Sequence, residues 1–186
     1  MKINLSAAKL SLEETSLALS SLNESLLEQL AELLISLSDS QNTLWTMGNG
    51  GSSSTASHMA CDINKGVSMT FANPIRCISI NELAATQSAW GNDFGFDNAL
   101  KNQFAQLAVD GDALLCISGS GNSANIVEAA KYAKSRGIKV VTLVGKNGGL
   151  VSAYADIDIR VDSTDMQVLE NVHLAIVHWL YKALAQ

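Results

Sequence analysis

Five short apolar runs, Thr43–Met47, Arg76–Ile80, Ala113–Ser118, Lys139–Leu143 and Ile157–Val161, alternate with stretches of helical periodicity such as Ser123–Arg136. Short apolar runs bounded by Gly, Ser and Asn read as strands buried on both faces. Strands separated by helices pair in parallel, because returning the chain to the same end of a sheet needs a crossover. The alternation therefore predicts an α/β fold, a three-layer αβα sandwich around a five-stranded, doubly wound parallel sheet. Upstream, Leu17, Leu19, Leu22, Leu26, Leu27, Leu30, Leu33 and Leu34 recur at helical spacing within Ser11–Ser38, a stretch without Gly or Pro. One or two amphipathic helices are expected there, packed on the sheet and on another copy of the chain. Residues 165–186 read as a closing helix. With no internal linker or low-complexity tract, residues 1–186 are expected to form one domain, 1–40 as a helical oligomerisation segment and 41–186 as the αβα core.

Charged residues make up only 16% of the chain and hydrophobic ones 47%. So little charge suggests that part of the exterior is covered by other copies. The net charge of -6, without any cluster of Lys and Arg, lacks the electrostatic footprint of a nucleic-acid binder. No apolar run approaches the roughly 18 residues of a membrane span, and no secretory leader pattern opens the chain. A soluble, cytoplasmic protein is expected. Cys61, Cys77 and Cys116 lack CxxC spacing and lie in or beside apolar stretches, which predicts buried, reduced thiols.

Two polar segments fall where strands give way to helices, the place where ligands bind in sheets of this kind. In the first, Gly48-Asn49-Gly50-Gly51-Ser52 permits a sharp turn and a close backbone approach to an anion; it also suits a plain strand-to-helix turn capped by Ser52 or Ser53. The pattern is neither GxxxxGK[ST] nor GxGxxG, so a nucleotide is not favoured. His58 and Asp62 follow, four apart and therefore on one helical face. They form either a simple hydrogen-bonded pair or a convergence on one metal ion or one transferred proton.

The second segment, "ISGSGNSANIVEAA" from Ile117, sets Ser118, Gly119, Ser120, Gly121, Asn122 and Ser123 at the start of a strong helix. Hydroxyls and orphan helix-start amides suit the acceptor oxygens of a phosphate, and the helix dipole favours its charge. Capping alone accounts for Ser123 and leaves Ser118 and Ser120 unexplained.

"GNGGS", "GNDFGF" at Gly91, "ISGSGNSANI", "VTLVGKNGG" at Val141 and "ENVHLAIVH" at Glu170, in this order along the chain, closely resemble the SIS (sugar isomerase) domain family, in its phosphoheptose isomerase branch. The resemblance implies an aldose-ketose isomerase that converts sedoheptulose 7-phosphate to D-glycero-D-manno-heptose 7-phosphate through an enediol, for lipopolysaccharide, capsule or another glycoconjugate. It implies phosphate and substrate binding by Asn49, Gly50, Ser52, Ser118, Gly119, Ser120 and Ser123, with Asp93 and Glu170 on the sugar. Asp62 and His178 take the proton transfers. His58, Asp62, Glu170 and His178 are the implied ligands of a zinc ion, with no nucleotide or redox cofactor, in a homotetramer with sites at subunit interfaces.

This chain departs from the family pattern at several of these positions. Gly119 replaces a Thr, Asp62 a Glu, Glu170 a Gln, and Gly66, with Lys65 adjacent in this chain, an Arg. Eight helical residues rise about 12 Å, so Glu170 and His178 reach one ion only from opposite ends or from different subunits, and His173 is an alternative partner for Glu170. Both histidines also suit a buried helix without function, and Asp93 suits a cap of the helix near Phe96. The rival readings are a non-catalytic SIS protein of the replication-initiator-binding type and an isomerase for another phosphosugar.

Overall fold

In a computed structural model describing residues 3–185, the chain opens with two helices, α1 (Leu5–Ser20) and α2 (Glu24–Ser40). Asn23 separates them and caps α2, its side chain accepting from the Leu26 amide at 3.4 Å. The core follows as β1 (Thr43–Gly48), α3 (Gly51–Cys61), β2 (Arg76–Ser79), α4 (Ala84–Phe94), α5 (Phe96–Leu107) and β3 (Ala113–Ser118). It continues through α6 (Ala124–Ser135), β4 (Lys139–Gly145), β5 (Ile157–Val161) and α7 (Met166–Leu184), which is capped by the Asp165 carboxylate.

All five strands are parallel, in the order β2-β1-β3-β4-β5. Successive strands leave β1 in opposite directions, so a crevice opens between the carboxyl ends of β1 and β3, where ligands bind in doubly wound sheets. Both Gly/Ser-rich segments begin there.

Each face of the sheet carries its own core, since side chains alternate across a strand. On one face Leu44, Leu115, Ile117, Val141 and Leu143 meet α2, α3 and α7 through Leu30, Leu34, Met59, Val172 and Ile176. On the other, Trp45, Met47, Leu114, Cys116 and Val140 meet α5 and α6 through Leu100, Phe104, Ile126 and Ala130. At the opposite end from the crevice, buried Asp112 accepts from the Thr43 amide at 2.9 Å and from the Trp45 indole at 2.8 Å, tying β1 to β3.

The thiols require one correction. Cys77 and Cys116 are buried, and burial raises both, Cys116 to about 12. Cys61 is exposed, because it follows buried Ala60 on the outward face of α3. No helix among the described residues is long and apolar enough to cross a membrane.

Candidate active site

The first loop leaves β1 at Gly48, whose backbone is held on both sides by Asn81: the Gly48 amide donates to Oδ1 at 3.1 Å and its carbonyl accepts from Nδ2 at 2.9 Å. Gly50 then takes φ 54°, a conformation that glycine adopts without strain, and turns the chain into α3. The expected cap by Ser52 or Ser53 is not what forms. Gly50 occupies the N-cap position, Ser53 donates to the Gly50 carbonyl, and Ser52 turns inward and is buried.

The second loop holds its own hydroxyls ready. Ser118 Oγ accepts from the Gly121 amide and Ser120 Oγ from the Asn122 amide, both at 3.2 Å. Each hydroxyl thus has its acceptor side engaged and its proton free to donate. Ser123 is the N-cap residue of α6 by backbone conformation, yet its side chain makes no cap hydrogen bond. All three serines, with Ser52 and Asn49, line one cavity of about 130 Å³ that Glu170 also enters. Asn125, which sequence reasoning passed over, joins the loops: its amide pairs reciprocally with that of Asn49, both hydrogen bonds being 2.9 Å. Nothing in an Asn in the first turn of a helix announces a partner 76 positions away.

A second cluster forms farther along α3 and α7. His58 Nε2 lies 3.3 Å from Asp62 Oδ2 and 3.1 Å from His178 Nε2. The three ligand atoms lie within 4.8 Å of one another. Asp62 is set by an irregularity, for α3 widens at its end into a π turn, Asp62–Gly66, before tightening into a 3-10 turn, Val67–Thr70. Asn64 fixes that turn against β2, donating to the Cys77 carbonyl at 2.6 Å and accepting from its amide at 2.9 Å. Lone pairs that converge repel one another unless something positive sits among them, so the cluster suits a shared proton or a divalent cation.

Of the expected metal ligands, His58, Asp62 and His178 come together and Glu170 does not. The carboxylate of Glu170 packs on Gly51 at the start of α3, where a β-carbon would collide with it. Two turns of α7 separate it from His178, so within one chain it belongs to the serine cavity. His173 serves neither group. It is buried against the sheet with both ring nitrogens unpartnered, and burial pushes its pKa down to about 4, the nearby Val144 carbonyl offsetting only part of that. Asp93 stands exposed near the end of α4, accepting from Asn92 at 2.8 Å, and lines neither cavity. Gly95, not Asp93, holds the N-cap position of α5. Gly50 and Gly119 shape the two loops, Gly119 donating no side chain but packing on Met166 and Leu169.

The two groups share one seam. Glu170 meets Gly51 and His178 meets His58, so α3 and α7 run side by side in the same direction. From Ser52 to His58 the helix rises about 9 Å, within the reach of an extended sugar phosphate.

Comparison with known proteins identifies the family of the chain. The SIS domain model matches residues 11–145. A phosphoheptose isomerase of Campylobacter concisus is 38% identical over 136 residues, 73% of this chain and 71% of that relative. A probable phosphoheptose isomerase of Thermoplasma acidophilum is 32% identical over 93% of this chain and 94% of its own. Among solved structures, a phosphoheptose isomerase from Francisella tularensis superposes with a TM-score of 0.88 at 29% identity, covering 97% of this chain and 95% of that one. With the strand order, the paired polar loops and this degree of identity together, the chain belongs to the SIS domain family, among its phosphoheptose isomerases.

Proposed function

We propose that the chain isomerises sedoheptulose 7-phosphate to the aldoheptose 7-phosphate, holding the phosphate in the serine cavity and moving a proton between C1 and C2 at the His58, Asp62 and His178 cluster. The observation that carries this reading is the convergence of these three side chains on one point, on the same helix pair as the serine cavity. A non-catalytic SIS protein has no use for that convergence.

Phosphate binding follows from the loops. Ser118, Ser120 and Ser123 donate hydroxyl protons, the first amides of α6 point the same way, and the helix dipole favours the charge. Asn49 and Ser52 complete the cradle from the first loop, and Glu170 faces the sugar hydroxyls beyond the phosphate. At the reacting end the enediol pathway needs a base on carbon and a proton source at oxygen. Asp62 and His178 take these roles, each within reach of His58, which holds them in register.

Two imidazoles and a carboxylate are a fitting donor set for zinc, leaving a coordination position open for substrate. A cation held there would polarise the ketose oxygens and stabilise negative charge as it develops. The chain's own residues supply the alignment: α3 brings His58 and Asp62 to one face, and α7 brings His178 across to them. A cytoplasmic homotetramer with its sites near subunit contacts is part of the same proposal, supported by the apolar surface left open on α1 and α4.

The decisive measurement is turnover of sedoheptulose 7-phosphate, beside shorter ketose phosphates, by wild type, Asp62→Asn and His178→Ala. A fall of roughly 10²- to 10⁴-fold in kcat with the fold intact is expected, the usual worth of a positioned acid or base. Full turnover in both variants would remove the assignment. Metal analysis of wild type against His58→Ala, expected to show zinc retained by the first and lost from the second, tests the ligand set separately.

A further inference from the structure

The cluster opens into a cavity of about 300 Å³ that Gly66, Tyr181 and Lys182 also line. Tyr181 follows His178 by three residues, so it stacks on the same face of α7. Its ring lies across the end of the π turn, directly against Gly66. A β-carbon at position 66 would overlap Cε2 of the ring and come within 2.8 Å of both Cζ and the hydroxyl oxygen. The backbone does not explain the glycine, since Gly66 has φ -87° and ψ -60°, open to any residue. What position 66 needs is an absent side chain, and the space goes to the phenol.

The ring body packs on the apolar core beneath α3 and α7 while the residue also lines the cavity. That is the usual posture of a tyrosine with its apolar part buried and its polar tip in contact with a ligand. We propose that Tyr181 is a specificity-determining residue, its hydroxyl bonding a hydroxyl group of the ketose at the end where the proton moves, with Gly66 as the clearance that lets it stand there. This rests on the isomerase reading above, which fixes the ligand class as a polyhydroxylated sugar phosphate.

The test is Tyr181→Phe, which keeps the ring on Gly66 and removes only the hydroxyl. It is assayed with wild type on sedoheptulose 7-phosphate and on five- and six-carbon ketose phosphates. Loss of one such hydrogen bond should lower kcat/KM about three- to tenfold, chiefly through KM, and unequally across the panel, with the melting temperature unchanged. Gly66→Ala, which forces the ring aside, should alter the same discrimination; should that variant fail to fold, Tyr181→Phe decides alone. Identical constants for Tyr181→Phe and an active wild type on every sugar overturn the role of Tyr181. A wild type that turns over none of the sugars overturns the isomerase reading, and this inference with it.

Discussion

His173 shows how one buried side chain sets a pH limit. Its imidazole sits neutral inside the molecule and its pKa is pushed down to about 4 by burial, against 6.5 in the open chain. Between those two values the unfolded chain binds a proton at this residue that the folded chain does not, so the contribution of His173 to stability falls as pH drops from 6.5 toward 4 and changes no further below it. At 1.36 kcal/mol per pKa unit, the full loss is about 3 kcal/mol. His173→Leu, which removes both unpartnered nitrogens and keeps the volume, should flatten that slope relative to wild type in urea unfolding at pH 7.5 and pH 5. An unchanged slope would mean that His173 is not the group responsible. His58 and His178 differ from it in both surroundings and partners: both are open to solvent, and they face each other and Asp62. His58 and Asp62 were legible as a pair because four residues span one helical turn, and Tyr181 stands at an equally readable spacing from His178. The meeting of His58 with His178, 120 positions apart, is written in no local pattern and depended on resemblance. Cys61 misled for a related reason: its apolar neighbours predicted burial, but helical rotation turned it outward.

At the scale of elements, the two loops at the crevice are held by the loops behind them. Gly121, at φ 64°, presses its bare Cα on the Gly148 carbonyl, and its own carbonyl accepts from the Val151 amide at 3.0 Å. Nearby, the Gly145 amide donates to Gly119 at 3.0 Å and the Leu150 amide to the Asn122 side chain at 3.0 Å. The segment after β4 is therefore a brace that sets where Ser118, Ser120 and Ser123 point. Gly121→Ala meets two obstacles together, a strained φ and a backbone clash, and should cost about 2–3 kcal/mol in chemical unfolding. Its KM for a sugar phosphate should rise more than that of Ser120→Ala, because the whole cradle shifts; a KM equal to wild type would show that the brace does not position the serines. The strands themselves were readable to within two residues, since buried parallel strands are continuous apolar runs with Gly and Ser at their ends. Helix α4 was not: Ala84–Phe94 buries no residue and carries no apolar stripe to betray it. Nor does any run of residues encode the π turn at Asp62–Gly66, which arises where α3 has to meet both β2 and α7.

For the molecule as a whole, the surface that one chain leaves uncovered is the strongest constraint. Leu5, Leu12 and Leu17 on α1 are each about 70% exposed, and Phe94 and Phe96, where α4 meets α5, are more than half exposed. Single exposed apolar residues are ordinary, but several on helices that bury little or nothing of their own mark a contact between proteins. Leu12→Glu combined with Leu17→Glu should convert the proposed tetramer to smaller species in sedimentation velocity, and an unchanged sedimentation coefficient would place the interface elsewhere. Asp93 connects this to chemistry. Within one chain it stands on exposed α4, on neither cavity, whereas the sequence resemblance implies a sugar contact for it. A partner that covers α4 resolves the conflict if it receives Asp93 into its own site. In that case chains carrying Asp93→Ala and chains carrying Asp62→Asn, each inactive alone, complement when mixed, because a site drawing on two chains takes both intact halves about one time in four. Recovery of roughly a quarter of wild-type activity after unfolding and refolding an equal mixture is expected. If the mixture stays as inactive as its components, Asp93 and Asp62 act in the same chain, and the exposure of α4 has no bearing on catalysis.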